Sequence, residues 1–277
     1  MWRVIKSELK RAFTSWGFVF SMLIEILIIS VYIVFELAPI VNDMIPQYRE
    51  LAKEGMVNYI PGAFYSWLGM LNSTTHKLLK AIIPIMIAIP YGDSLYVDNI
   101  TCYIDNVCVR LKKGKFYFVK IIVMFISGGF VAVFPYLTSF LIVMAVLPLE
   151  TVCASNFNSI GNIALLSDIY YSNTFLYVIL YLILTFVGFG ILNCLCFVAT
   201  YIMNNRFMVM LFPFIVDYSM EVIASFFVGR HHTPWIYLNI CNFWKTDVDA
   251  AIIQFSIFII LIVITLVIKG NKRTDVL

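Results

Sequence analysis

Long apolar stretches separated by short polar ones run along almost the whole chain. Six of them reach the ~20 residues that a helix needs to cross the hydrocarbon of a bilayer. They cover 15–38, 78–97, 118–147, 173–200, 207–228 and 251–268. None shows the ten-residue alternation of a membrane β-strand, so a barrel is disfavoured. The pattern predicts an all-α integral membrane protein with six transmembrane helices in a single domain, 1–277. The first span is too long for the apolar core of a removable signal and lacks a small-residue cleavage site after it. It is expected to stay as a helix.

Composition agrees. Hydrophobic residues make up 62% of the 277 and charged residues 13%, against roughly 45–50% and ~25% in soluble domains. A soluble fold of this size could not hide so much apolar surface. Disorder, a disulfide scaffold and nucleic-acid binding are excluded on the same ground. The net charge of +3 is small, and its placement says more than its size. With the amino terminus inside, the inner segments hold 13 of the 19 Lys and Arg residues. The positive-inside rule therefore places both termini in the cytoplasm.

Two inner segments have a periodicity of their own. Residues 2–13, WRVIKSELKRAF, set Trp2, Ile5, Leu9, Ala12 and Phe13 on one helical face. Arg3, Lys6, Glu8, Lys10 and Arg11 take the rest. This predicts a basic amphipathic helix over 1–14, lying on the membrane surface. It is either an anchor for the first span or a contact for a cytoplasmic partner. Residues 91–120 turn from acidic (Asp93, Asp98, Asp105) to basic (Arg110, Lys112, Lys113, Lys115, Lys120). Leu95, Ile100, Tyr103, Ile104, Val107 and Leu111 keep an approximate helical spacing between them. A short helix along the membrane face is expected, with Gly114 as its breaker.

On these features the chain resembles the membrane subunit of ABC transporters of the ABC-2 type. It looks most like the permeases found with lantibiotic-immunity and bacitracin-export ATPases. The resemblance rests on the amphipathic amino-terminal helix, the six spans with both ends inside, the 91–120 segment, and the short apolar pieces over 218–248. Within 91–120, Asp93, Asp98, Gly114, Phe116, Tyr117 and Lys120 look like the family's loop pattern, although the family often has Glu near Asp98. The resemblance implies a coupling helix between spans two and three, docked in a groove of a separate ATP-binding subunit. Its candidate residues are Asp93, Asp98, Tyr103, Ile104, Asp105, Val107, Arg110 and Gly114. It also implies pairing with a second copy or a sister permease in a bacterial plasma membrane. The cargo would be a peptide, drug or lipid-like molecule. The chain contains no G-x-x-x-x-G-K-[ST] phosphate loop, so ATP and magnesium are expected on the partner. No enzymatic activity and no cofactor are expected in this chain.

Acids at bilayer depth are costly and so are functional candidates. Glu25 lies mid-span one. Asp217 and Glu221, four apart, share a face of span five. They line a pathway for a cationic or amphipathic cargo, or they are structural, with Asp217 and Glu221 capping short outer helices in water. An ion-coupled secondary transporter using these acids is the rival reading. Intramembrane proteolysis is disfavoured, because His76, His231 and His232 all fall in expected outer loops or edges. No metal-binding spacing is present. Gly128-Gly129 and Gly188-x-Gly190 allow close helix contact. Trp16, Trp67, Tyr170, Tyr171, Trp235 and Trp244 fit an aromatic belt. A disulfide between Cys153 and Cys241, both expected outside, is conceivable.

Overall fold

A computed structural model describes residues 1–55, 62–70, 73–109, 111–149, 166–227, 238 and 248–271. The described residues are helical, with no strand among them. Twelve helices carry the argument below: α1 (Trp2–Phe13), α2 (Trp16–Tyr32), α3 (Ile45–Lys53), α4 (Ala63–Met70), α5 (Thr74–Met86), α6 (Ser94–Ile100), α7 (Tyr103–Cys108), α8 (Lys113–Val146), α9 (Ser167–Ser172), α10 (Thr174–Ala199), α11 (Arg206–Phe227) and α12 (Val248–Gly270). Four helical runs are long and apolar enough to cross a membrane: Trp16–Leu51, Lys113–Val146, Thr174–Ala199 and Val248–Gly270. The protein is membrane-embedded.

The first run is longer than the expected 15–38. It continues past Tyr32 through two wide turns, Ile33–Leu37 and Ile40–Met44, into α3. Pro39 sits between those turns and offers no N–H. The ladder re-pairs by widening, with the Ala38 and Ile45 amides reaching the carbonyls of Ile33 and Ile40. Thr75 at the start of α5 donates to Glu36 at 2.7 Å and ties the two segments together.

The expected second span, 78–97, is not one helix. Pro84 lies inside α5, the helix ends at Met86, and turns fill 87–93 before α6 begins. Spans four, five and six fall within a few residues of their expected bounds. Span three starts earlier, at Lys113. Gly114 is therefore a residue of α8 and not the residue that ends the short helix, which stops at Cys108, and a Cβ there would lie 3.7 Å from the Gly270 carbonyl at the end of α12.

α8 and α10 form the centre. Their interface is built from glycine, as the small-residue spacing implied. A Cβ on Gly129 would stand 2.7 Å from the Phe186 carbonyl oxygen, and one on Gly128 would stand 2.5 Å from Asn193. The backbones thus approach closely, and buried Asn193 donates to the Met124 carbonyl at 2.8 Å. Trp67 is not in a belt. It is fully buried on α4, its Nε1 donating to Ser139 of α8 at 3.1 Å. His76 is buried against Tyr136. The Arg110, His231-His232, Cys153, Cys241, Trp235 and Trp244 readings, and most of 218–248, lie outside the described residues.

The glycine contact gives a direct test. Gly129→Val should drive a branched side chain into backbone that cannot move aside, at a cost of about 1–3 kcal/mol. Thermal unfolding of the purified chain in detergent should show a Tm several degrees lower. Leu137→Val, on the exposed side of the same helix, should leave Tm nearly unchanged.

Candidate functional site

α1 does not bury the face its apolar spacing suggested. Its buried positions are Ile5, Glu8 and Ala12, while Trp2 is exposed and Leu9 and Phe13 are half-buried. Glu8, expected among the solvated residues, stands at the centre of the inward face. The reason lies in α8. Lys120, one of the cations expected to flank span three, has no exposed surface at all. An ammonium group so enclosed must be met by anions.

Two acids meet it. Lys120 Nζ donates to Glu8 Oε2 at 3.0 Å and pairs with Asp98 Oδ2 of α6 at 2.5 Å. Its charge also lies over the rings of Tyr91, at 4.7 Å, and Phe116, at 5.4 Å. The Tyr91 hydroxyl donates to Glu8 in a short hydrogen bond. Arg11, one turn along α1, donates through Nη1 to Asp98, 2.9 Å from Oδ1 and 3.2 Å from Oδ2. It also lies 3.7 Å from Glu8 as an ion pair. Two acids and two bases thus balance at zero net charge.

The balance is felt at the rim. Partial burial pulls the Arg11 guanidinium pKa down, but the charge and hydrogen bond of Asp98, with Glu8 behind, outweigh this and raise it. Tyr103, with Arg11 5.7 Å above its ring, is pushed up by burial and by the charges of Glu8 and Asp98. The guanidinium and the phenol both stay in their ordinary protonated forms at neutral pH.

A second set of contacts holds the other side of α6. Arg206, at the start of α11, makes a short ion pair with Asp93 through Nε. The Tyr96 hydroxyl donates to the Asn204 carbonyl at 2.6 Å. Ser15 caps α2 by accepting from the Phe18 amide at 3.1 Å, and its hydroxyl reaches the Pro90 carbonyl at 3.1 Å. The segment 90–100 is therefore fastened to α1, α2, α8 and α11.

These contacts sort the expected coupling residues. Asp93, Asp98 and Ile104 are all buried. They serve the interior and cannot themselves touch a partner. Tyr103 and Asp105 are exposed, and Val107 is half-buried. The continuous stripe over 95–111 is broken at Cys102, whose φ of 53° ends α6 and starts α7 at an angle. That break turns Ile100 outward. Ile100, which closes α6, is 65% exposed, and Val109, which follows α7, is 83% exposed. The sequence signal for them was two apolar residues flanking the α6–α7 pair, which a single-helix reading folds inward.

The intramembrane acids separate into two environments. Glu25 is fully buried, its electrostatic neighbour is Tyr136 of α8, and its carboxyl has no hydrogen-bond partner among the described residues. Asp217 is buried too, but Lys80 of α5 interacts with it and with half-buried Glu221. Asp217 therefore meets a cation supplied by the chain itself. No group of three His, Cys, Asp or Glu residues able to hold a metal is found among the described residues.

No protein-family model, no curated protein and no solved structure matches this chain.

The enclosed lysine makes a strong test. Lys120→Met leaves Glu8 and Asp98 buried without their cation and should cost about 3–5 kcal/mol. α1 should become accessible to protease in membranes that are otherwise intact. Adding Glu8→Gln and Asp98→Asn to Lys120→Met removes the stranded charges and should recover a good part of the loss. A triple variant no more stable than the single one would count against the balance described here.

Proposed function

We propose that the chain is the membrane-spanning subunit of an ATP-driven ABC exporter of the ABC-2 type. One observation carries the reading: buried Glu8, Asp98 and Lys120, with Arg11 at their rim, join an amphipathic amino-terminal helix, a surface hairpin and a central apolar helix into one unit. A protein that only sat in the bilayer would have no use for such a unit. A protein that receives force at its surface needs the receiving hairpin fixed to the helices that move. α6 and α7 would be the docking element, with Ile100, Tyr103, Asp105 and Val109 as the contact residues. ATP and magnesium would be held by a separate subunit on that side.

In this reading the chain crosses the membrane six times with both termini in the cytoplasm of a bacterial cell. Two observations support counting α5 and α11 as spans. They pack against each other, and the charges Lys80 and Asp217 that would forbid each alone offset one another. A second permease, identical or sister, would complete a path between the halves. The cargo would be a peptide of the bacteriocin type, a drug or a lipid-like amphipath, with a role in immunity to antimicrobial peptides.

Glu25 favours one rival, an ion-coupled transporter, because a buried carboxyl without a partner is a natural proton carrier. Glu25→Gln in proteoliposomes separates the two. ATP-driven export should survive the change, whereas transport driven by a pH gradient would be lost.

The docking element is tested by mild-detergent pull-down from the native host. A P-loop ATPase should come with the chain in a fixed ratio. Ile100→Ser with Val109→Ser should weaken that association roughly tenfold or more, since each buried aliphatic side chain contributes about 1.5–3 kcal/mol. Tm should stay unchanged because both side chains face outward. Recovery of the chain without any ATPase, across several detergents, would overturn the proposal.

A further inference from the structure

Between the end of α1, the first turn of α2, the 90–97 segment and the start of α11 lies a half-open cleft of about 340 Å³. It is on the amino-terminal side of the membrane, where α2 and α11 both begin. Arg11, Ser15, Trp16, Ser94, Arg206 and Met210 are among its lining residues. We infer that this cleft binds the phosphate of an anionic phospholipid from the adjacent leaflet.

Four observations carry the inference. First, both arginines are oriented by acids yet keep donors to spare. Arg206 uses Nε on Asp93 and Arg11 uses Nη1 on Asp98. Each guanidinium has five N–H groups in a fixed fork, so several remain for a phosphate. Asp93 also lines the cleft, so the arginines offer directed donors there rather than a net positive charge. Second, Ser94 lines the floor, 5% exposed, with its hydroxyl beyond 3.5 Å of any partner among the described residues and nearest in effect to that of Tyr91. Third, the first turn of α2 enters the cleft through Ser15, Trp16 and Gly17, and the leading amides of a helix favour an anion. Fourth, Trp16 is 88% exposed at the mouth. An indole in that position sits at headgroup level, and Met210 on the opposite wall is apolar enough for the start of an acyl chain. A free phosphate ion would use the first three features. The exposed indole and the apolar wall favour a lipid. The inference does not depend on the transport reading.

The test is lipid-dependent thermal stability of the full chain purified in detergent. Added phosphatidylglycerol should raise Tm saturably, and phosphatidylcholine at equal concentration should not. Arg206→Gln should weaken the apparent affinity for phosphatidylglycerol roughly five- to tenfold, and Arg206→Lys should weaken it less. Arg206→Gln also leaves buried Asp93 without its ion-pair partner, so the lipid-free Tm should fall, and affinity is read as the lipid concentration at half-maximal shift. Ser94→Ala gives the same readout without disturbing an ion pair, and its affinity for phosphatidylglycerol should also fall. Equal shifts with the two lipids would overturn the proposal. So would an undiminished phosphatidylglycerol shift in both variants. Reproduction of the shift by millimolar inorganic phosphate alone would assign the site to a free ion and overturn the lipid.

Discussion

A lysine with no exposed surface fixes much of this molecule. Lys120 stands on the central helix α8, where water cannot reach it, so its charge has to be met by carboxylates carried on other elements. Glu8 comes from the amino-terminal helix and Asp98 from the surface hairpin, and Tyr91 completes the shell from the turn between them. None of these segments is free to drift while the lysine stays buried. α1 is thus not a raft floating beside the bundle. It is fastened through its inward face to the helix around which the rest is packed.

The second balance, between α5 and α11, follows the same rule with less completeness. Lys80 and Asp217 come from α5 and α11, and each makes the other tolerable. Glu25 has no such cation among the described residues. The contrast separates acids that look alike in sequence. Asp217 is met by a charge carried on a neighbouring helix, and Glu25 is enclosed by α2 and α8 without one.

How far the sequence could be read depends on the range of the interactions concerned. α10 at Thr174–Ala199 and α12 at Val248–Gly270 match their expected bounds, because length and apolarity are properties of a single stretch. The second span was misread because Pro84 and Pro90 act locally against a hydropathy that stays high. The Gly128–Gly129 contact was legible as a small-residue pair. Glu8 was not legible. Its partner is 112 positions away, and periodicity alone places a glutamate on the wet face. Ile100 failed for a related reason, since a left-handed Cys102 carries no mark in the sequence that would separate one helix from two.

The run from Trp16 to Leu51 spans 36 residues, a path of about 54 Å at the ordinary helical rise, well beyond the ~30 Å of bilayer hydrocarbon. Its near end is pinned at the cleft, where a Cβ on Gly17 would stand 2.5 Å from the Ile89 carbonyl oxygen. Its far end carries α3. The geometry is that of a lever with its fulcrum at one surface. A tilt of about 5° at Gly17 would displace the tip by about 5 Å over that length. A small rearrangement beside the buried lysine would thus become a displacement on the other side of the membrane larger than a water molecule.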